Sequence, residues 1–129
     1  MPFERALKSI FERGTEDFND GAFDNFEDVL HIGLQYYCPK IRTQNFYTPE
    51  TKLYSREDVL QYWADLHEKY ENEITNFRYL FVGKVSLIRC HYDKADFILD
   101  VEMHFDEYGK VFKIINSLNQ SSAQPAMLA

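Results

Sequence analysis

Residues 95–118 carry the clearest local pattern in the chain, and they read ADFILDVEMHFDEYGKVFKIINSL. Apolar and polar side chains alternate from Phe97 to Phe105, as they do in a strand that buries only one of its faces. The alternation therefore predicts a strand that turns Val101 and Met103 toward the interior of the protein.

Three further strands are predicted around this one, from short runs of β-branched and aromatic residues. Gly83, Asp93-Lys94 and Gly109 separate the runs, and Gly109 is predicted to supply the positive φ of a hairpin turn. Strands this close in sequence must pair antiparallel, because a parallel crossover needs about a dozen residues or more. The four predicted strands cover 74–82, 84–92, 95–106 and 111–118.

Three helices are predicted before these strands. Apolar residues recur three or four positions apart in 3–18, and over a shorter run in 22–31. Ser55 is a typical N-cap followed by acidic residues, and Trp63 lies on the apolar stripe of the helix that Ser55 begins. A strand is predicted over 35–42, and a looser extended segment interrupted by Pro49 over 45–54. An antiparallel sheet with helices on one face is an α+β arrangement.

Length and charge limit the classes of function. The chain has 129 residues and a net charge of -7, and 45% of its residues are hydrophobic. This length predicts one domain, over 1–119, followed by a flexible tail, 120–129, that has no apolar pattern. The acidic balance disfavours nucleic acids and anionic membrane surfaces as partners, since both attract basic proteins.

The two cysteines, Cys38 and Cys90, are predicted to be free thiols in a cytoplasmic protein, because no apolar signal region begins the chain. Neither they nor the histidines have the spacing of a metal site. The chain also lacks a phosphate-binding loop, a dinucleotide fingerprint and a nucleophile elbow. No metal and no cofactor is therefore predicted.

Three local features, 18–24, 55–63 and 105–111, resemble motifs of the nuclear transport factor two-like superfamily. The first is Phe-Asn-Asp-Gly-Ala-Phe-Asp at a helix break, the second is the helix from the Ser55 cap to Trp63, and the third is the hairpin Phe-Asp-Glu-Tyr-Gly-Lys-Val. The resemblance covers about residues 3–118. It implies a cystatin-like cone, in which a curved antiparallel or mixed sheet carries three helices on its concave face, and often a homodimer through the sheet.

The superfamily includes SnoaL-like cyclases and ketosteroid isomerases, and the isomerase comparison can be made residue by residue. The resemblance places Cys38 where the isomerases carry their general base. It places Gly14 and Val101 where they carry a tyrosine and a protonated aspartate. Because all three groups have changed, ketosteroid isomerase activity is not expected.

The candidate catalytic residues are Cys38, His67 and His91, and each has a plainer interpretation. Cys38 could act if a cation lowered the pKa of its thiol, or it could be a small buried core residue. Arg89 and His91 share one face of strand 84–92, and the sequence leaves open whether that face points inward. The candidate ligand-binding residues are Tyr36, Tyr54, Trp63, Tyr79, Arg89, Val101 and Met103.

Three functions remain open at this stage. The first is a non-catalytic pocket domain for a small apolar or aromatic ligand, without a cofactor. The second is a cofactor-free cyclase, isomerase or dehydratase that uses Cys38, a tyrosine and a histidine. The third is a protein association module, because one fold of this kind hosts many activities.

Overall fold

The structure, a computed structural model, describes the backbone of residues 2–70 and 73–121 and, apart from 2–7, 10, 120 and 121, their side chains. It contains two α-helices and eight strands within that part of the chain. The helices are α1, Pro2–Asp20, and α2, Arg56–Lys69; the strands are β1, Leu30–Cys38, β2, Ile41–Arg42, β3, Tyr47–Thr48, β4, Thr51–Leu53, β5, Asn76–Val82, β6, Val85–Tyr92, β7, Phe97–Phe105, and β8, Val111–Ser121.

Six of the strands form one curved, mixed sheet in the order β4-β1-β8-β7-β6-β5. Strands β5 to β8 form an antiparallel meander, as their short connections predict. Strand β1 pairs in parallel with β8, and β4 pairs antiparallel with β1. The predicted α+β class, with a curved sheet and helices, is therefore confirmed.

The predicted helix 22–31 is wrong, so the protein has two α-helices where three were expected. A single 3-10 turn occupies Phe23–Phe26, and β1 begins at Leu30. The cause lies far away in sequence: the backbone N–H of Val111 donates to the carbonyl of Val29 at 2.9 Å and draws this segment into the sheet. Of the apolar residues that suggested a helix, Phe23 and Phe26 lie in the 3-10 turn and Leu30 begins β1.

The local signals around α2 and the last hairpin are confirmed. Ser55 caps α2, and its Oγ accepts a hydrogen bond from the backbone N–H of Asp58 at 3.1 Å. Gly109 has a φ of +80 in the turn before β8. Gly21 ends α1 with a φ of +75, and a Cβ at this position would lie 3.0 Å from Nε2 of His67. The left-handed backbone therefore favours glycine at position 21, and a side chain there would also need the ring of His67 to shift by a few tenths of an ångström.

The buried side chains of β6 and β7 identify the inner face of the sheet, which is the face that carries the helices. Ile88, Cys90 and Tyr92 are buried there, and so are Leu99 and Val101. This settles the face that the sequence left open in 84–92: the odd-numbered side chains of β6 point to the opposite, outer face. Within 2–70 and 73–121, no helix is both long and apolar enough to cross a membrane.

The last strand is longer than predicted, because β8 continues to Ser121 and pairs with the start of β7. Residues 120 and 121 of the predicted flexible tail, 120–129, therefore belong to β8. The rest of the predicted tail, 122–129, lies outside the described residues. The division into one domain and a tail stays a prediction.

Candidate functional site

A cavity of about 140 Å³ lies between the helices and the inner face of the sheet. Its wall is largely apolar and includes Phe18 of α1, Ile88 of β6, Leu99 of β7 and Ile114 of β8. An engineered protein cavity of about 150 Å³ with a similar apolar wall takes up benzene. The space therefore suits a single aromatic ring with a short substituent.

Five of the sequence-predicted site residues line this cavity: Tyr36, Cys38, Trp63, Val101 and Met103. They come from three elements. Tyr36 and Cys38 lie two residues apart on β1 and therefore share its inner face, as Val101 and Met103 do on β7. Trp63 reaches the same space from α2, where its ring packs edge-on against Phe18 and Phe26.

The other three predicted ligand-binding residues lie elsewhere. The side chain of Tyr54 is exposed just before α2. The ring of Tyr79 packs against Phe11 and Phe81 and is not part of the cavity wall. Arg89 lies on the outer face, where its guanidinium binds the carboxylate of Asp100 at 2.8 Å. Its strand neighbours are apolar on both faces, so the sequence could not show which way it points.

Neither histidine proposed for catalysis lines the cavity. The ring of His67 packs against Phe23, with 5.7 Å between the centroids, directly below Gly21. His91 lies on the outer face of β6, opposite Ile98 of β7. Among the described residues that line the cavity, there is no carboxylate, imidazole, ammonium or guanidinium group.

Polar groups collect in one region of the cavity wall. The indole N–H of Trp63 donates to the hydroxyl oxygen of Tyr36 at 3.3 Å. The hydroxyl groups of Tyr62 and Thr48 lie 3.0 Å apart and share a hydrogen bond. The rings of Tyr36 and Tyr62 meet edge to face at 5.7 Å. Thus an indole, two phenols and a hydroxyl group stand near the Cys38 thiol.

Sequence reasoning missed Thr48, Tyr62 and Tyr92, which all line the cavity. Tyr62 directly precedes Trp63 on α2. Helical spacing alone does not distinguish a residue at the edge of the cavity from one that faces solvent, so it could not assign Tyr62. Thr48 belongs to a two-residue strand, and Tyr92 ends a strand whose inward face was ambiguous. Only the register of β6 against β7, which pairs Tyr92 with Phe97, places that phenol inside.

Burial keeps the titratable groups of this region in their neutral forms. It raises the pKa of the Cys38 thiol to about 11, and hydrogen bonds from Tyr62 and Tyr36 oppose this rise only in part. Burial likewise raises the pKa of Tyr62 to about 12 and that of Tyr36 well above its usual value. At neutral pH the region therefore presents a thiol and phenols that keep their protons.

We expect both cysteines to resist alkylation in the folded protein. Burial raises the pKa of Cys38 to about 11 and that of Cys90 to about 12, and only the thiolate reacts. Iodoacetamide at about pH 7.5 should label them at least ~100-fold more slowly than it labels the chain unfolded in guanidinium. Mass spectrometry of quenched samples measures both rates.

A single-cysteine variant, Cys90→Ala, isolates the Cys38 rate. The free energy of unfolding gives a second check, because each thiol holds its proton more tightly in the folded state than in the unfolded state. Its contribution is present below about pH 8.5 and is lost as the pH rises toward 11. Rapid labelling of Cys38 in the folded protein would contradict this assignment and favour a catalytic thiol.

Several solved structures share this architecture. A SnoaL-like protein of unknown function from Burkholderia thailandensis matches with a TM-score of 0.69 and 15% identity, over 92% of this chain and 96% of that one. An NTF-2 like protein of unknown function from Burkholderia xenovorans matches with a TM-score of 0.62 and 14% identity, over 96% and 91%. A bacterial protein with a cystatin-like fold from Silicibacter pomeroyi matches with a TM-score of 0.58 and 13% identity, over 88% and 75%.

The chain has the nuclear transport factor two-like fold. No protein-family model matches its sequence, and no curated protein matches it either. At these identities the likeness concerns the fold alone, so activity has to be argued from the site.

The nuclear transport factor two-like fold brings together the three positions that the resemblance linked to isomerase chemistry. Gly14, Cys38 and Val101 all line the cavity, although they come from α1, β1 and β7. The cavity therefore lies where the resemblance expects a reaction centre, while the side chains at those positions offer no ionised group at neutral pH. A Cβ at position 14 would lie 3.4 Å from the ring of Phe26, which is ordinary van der Waals contact.

Proposed function

We propose that this domain binds a small, uncharged, mainly apolar molecule in the cavity and carries out no acid–base reaction on it. The observation that carries the proposal is the composition of the cavity wall, which holds no carboxylate, imidazole or cation among its described residues. A charged ligand would lose its hydration there without gaining a partner of opposite charge.

The competing enzyme hypothesis needs Cys38 to act as a base or nucleophile. The Cys38 thiol is buried, its pKa is raised to about 11, and it is therefore almost wholly protonated at neutral pH. Among the described residues, no histidine lines the cavity to take its proton. A general base is most effective when its pKa lies near the working pH. This mismatch favours binding over catalysis.

Toluene is the simplest probe of the proposal. Because it binds only the folded state, toluene at about ten times its dissociation constant should stabilise the protein by ~1.4 kcal/mol. For a domain of this size that corresponds to a rise in melting temperature of about 5 °C. Differential scanning calorimetry in sealed cells measures the shift. No shift with toluene, ethylbenzene or indole would refute a ligand cavity, and turnover of a carbonyl compound would refute the non-catalytic assignment.

Association of two copies through the outer face of the sheet is a second part of the proposal. That face exposes Leu80, Val82 and Leu87, with Leu80 at 61%, and exposed apolar groups that cluster favour an interface. Sedimentation equilibrium should therefore give a homodimer, and Leu80→Glu should shift the equilibrium toward the monomer. A wild-type protein that sediments as a monomer would exclude this association.

A cytoplasmic location is also proposed, because both cysteines are free thiols.

A further inference from the structure

Residues 41–48 form a short hairpin of β2 and β3 that is separate from the six-stranded sheet. An isolated two-stranded hairpin is marginally stable in water. Among the residues that the structure describes, no backbone–backbone hydrogen bond ties this hairpin to another element. Pro39 and Pro49 flank the hairpin, and neither can donate a backbone hydrogen bond to a neighbouring strand. The hairpin is therefore held in place by side chains.

The hairpin closes one part of the cavity wall. Ile41, Phe46 and Thr48 all line the cavity, and each is almost fully buried. Phe46 lies at the tip of the hairpin, where its ring packs against Tyr70 and Phe97 with centroid distances of 4.7 and 5.0 Å. While that ring is in place, no ligand can pass between the tip and its neighbours.

The base of the hairpin is anchored to α2. The hydroxyl groups of Thr48 and Tyr62 lie 3.0 Å apart and share a hydrogen bond. The hydroxyl of Tyr70, which caps the end of α2, donates to the backbone carbonyl of Tyr47 at 3.1 Å. Both contacts involve the strand β3, next to Pro49, so this end of the hairpin can act as a hinge.

The tip of the hairpin is held by a different set of contacts, to the turn between β6 and β7. The hydroxyl of Thr43 donates to the carbonyl of Ala95 at 2.6 Å. The side-chain amide of Asn45 donates to the carboxylate of Asp96 at 2.8 Å and to the carbonyl of Lys94 at 3.2 Å. We call these three hydrogen bonds the latch. Because the bonds of Asn45 are exposed to water, which can replace them, releasing the latch costs little free energy.

We propose that hairpin 41–48 is the lid of the cavity. When the latch opens, the tip leaves the β6–β7 turn and Phe46 withdraws from the wall. A small apolar ligand then enters or leaves between Tyr70 and Phe97, and the hairpin closes behind it. This assignment rests on the proposed function, since a lid serves a cavity that binds a ligand.

Two variants separate this lid from the other movable part of the wall, helix α1. The latch variant combines Thr43→Val with Asn45→Ala, and neither residue lines the cavity. The control is Asn19→Ala. The side chain of Asn19 binds the backbone N–H and the carbonyl of Ile74, both at 2.8 Å, and thus holds the end of α1. The control also removes side-chain hydrogen bonds, but at a different part of the wall.

The accessibility of Cys38 gives a readout that needs no ligand. Its thiol lines the same cavity as Phe46, so an open lid should admit iodoacetamide. In a Cys90→Ala background, the latch variant should be labelled at least ~10-fold faster than the wild type, and Asn19→Ala at the wild-type rate. Low concentrations of urea should hardly change these rates, because local opening exposes little surface.

Ligand exchange gives the second readout, with fluorobenzene as the probe and ¹⁹F relaxation dispersion as the method. Entry and exit both require the open lid. The latch variant should therefore raise the association and dissociation rate constants together, each by about ten-fold. The dissociation constant should stay within about two-fold of the wild type, because the lid remains mostly closed with and without ligand.

The two readouts distinguish failure of the lid from failure of the proposed function. Exchange and labelling rates that the latch variant leaves unchanged would overturn the lid while leaving the cavity function intact. Equal acceleration by Asn19→Ala, or a labelling rate that rises with urea as steeply as global unfolding does, would overturn it as well. Failure of fluorobenzene and toluene to bind the wild type would instead overturn the proposed function, and with it the role of the lid.

Discussion

Replacing Val101 with phenylalanine is expected to abolish the binding of toluene and of other single-ring ligands. Val101 is buried on the inner face of β7, and its side chain lines the cavity. The new ring would occupy a space of about 140 Å³ that accommodates one ring, so ligand and side chain compete for the same volume. Affinity should fall by at least ~100-fold, the loss expected when most of the ligand's apolar contact is removed.

The fold should survive this change, because the added atoms enter a space that the wild type leaves open. We expect the free energy of unfolding to change by less than about 3 kcal/mol, the range for large residues placed in cores. Ile98→Phe is the matched control, since Ile98 lies on the outer face of the same strand, and it should leave toluene binding unaltered. Calorimetric titration of both variants measures the effect; full binding by Val101→Phe would locate the ligand elsewhere.

Replacing Trp63 with alanine should have the largest effect on stability. The indole packs against Phe18, Phe23 and Phe26 and donates a hydrogen bond to Tyr36. Truncation leaves a cavity among these rings and removes a hydrogen bond, and such changes cost about 3–5 kcal/mol. Because Trp63 is the single tryptophan, urea unfolding has to be followed by far-ultraviolet circular dichroism.

Tyr54→Ala provides the comparison for this truncation. Tyr54 is exposed and lies two residues before α2, so removing its ring should change stability by less than about 0.5 kcal/mol. If Trp63→Ala cost no more than Tyr54→Ala, the contacts of the indole with Phe18, Phe23 and Phe26 would not stabilise the fold. The truncation of Trp63 also changes the cavity wall, because it removes the indole N–H that donates to the hydroxyl of Tyr36.

The parts of the fold that the sequence predicts are those with local causes. Alternation along β7, the cap at Ser55 and the turn at Gly109 depend on a few neighbouring residues, and each is observed. The wrong helix at 22–31 has a distant cause, the pairing of Leu30 with Val111. Apolar spacing alone does not distinguish a short buried helix from the entry to a strand.

The candidate site divides along the same line. Val101 and Trp63 belong to elements whose apolar residues lie clearly on one side, and both line the cavity. Arg89 and Tyr92 belong to a strand with apolar side chains on both faces, so the inward set became known only from the register of β6 against β7. The position of Tyr92 in the cavity wall is a property of the tertiary structure, and no spacing rule could reveal it.

The position of β8 between β1 and β7 has a consequence for biosynthesis. Strand β1 pairs in parallel with residues 111–115, which lie about eighty residues downstream. During translation, the inner side chains of β1 therefore have no strand to pair with until those residues have been synthesised. Contacts that span so much sequence slow the search for the native state. Nascent chains arrested before Val111 should therefore remain sensitive to protease and require chaperones, whereas release of β8 from the exit tunnel should permit cooperative closure.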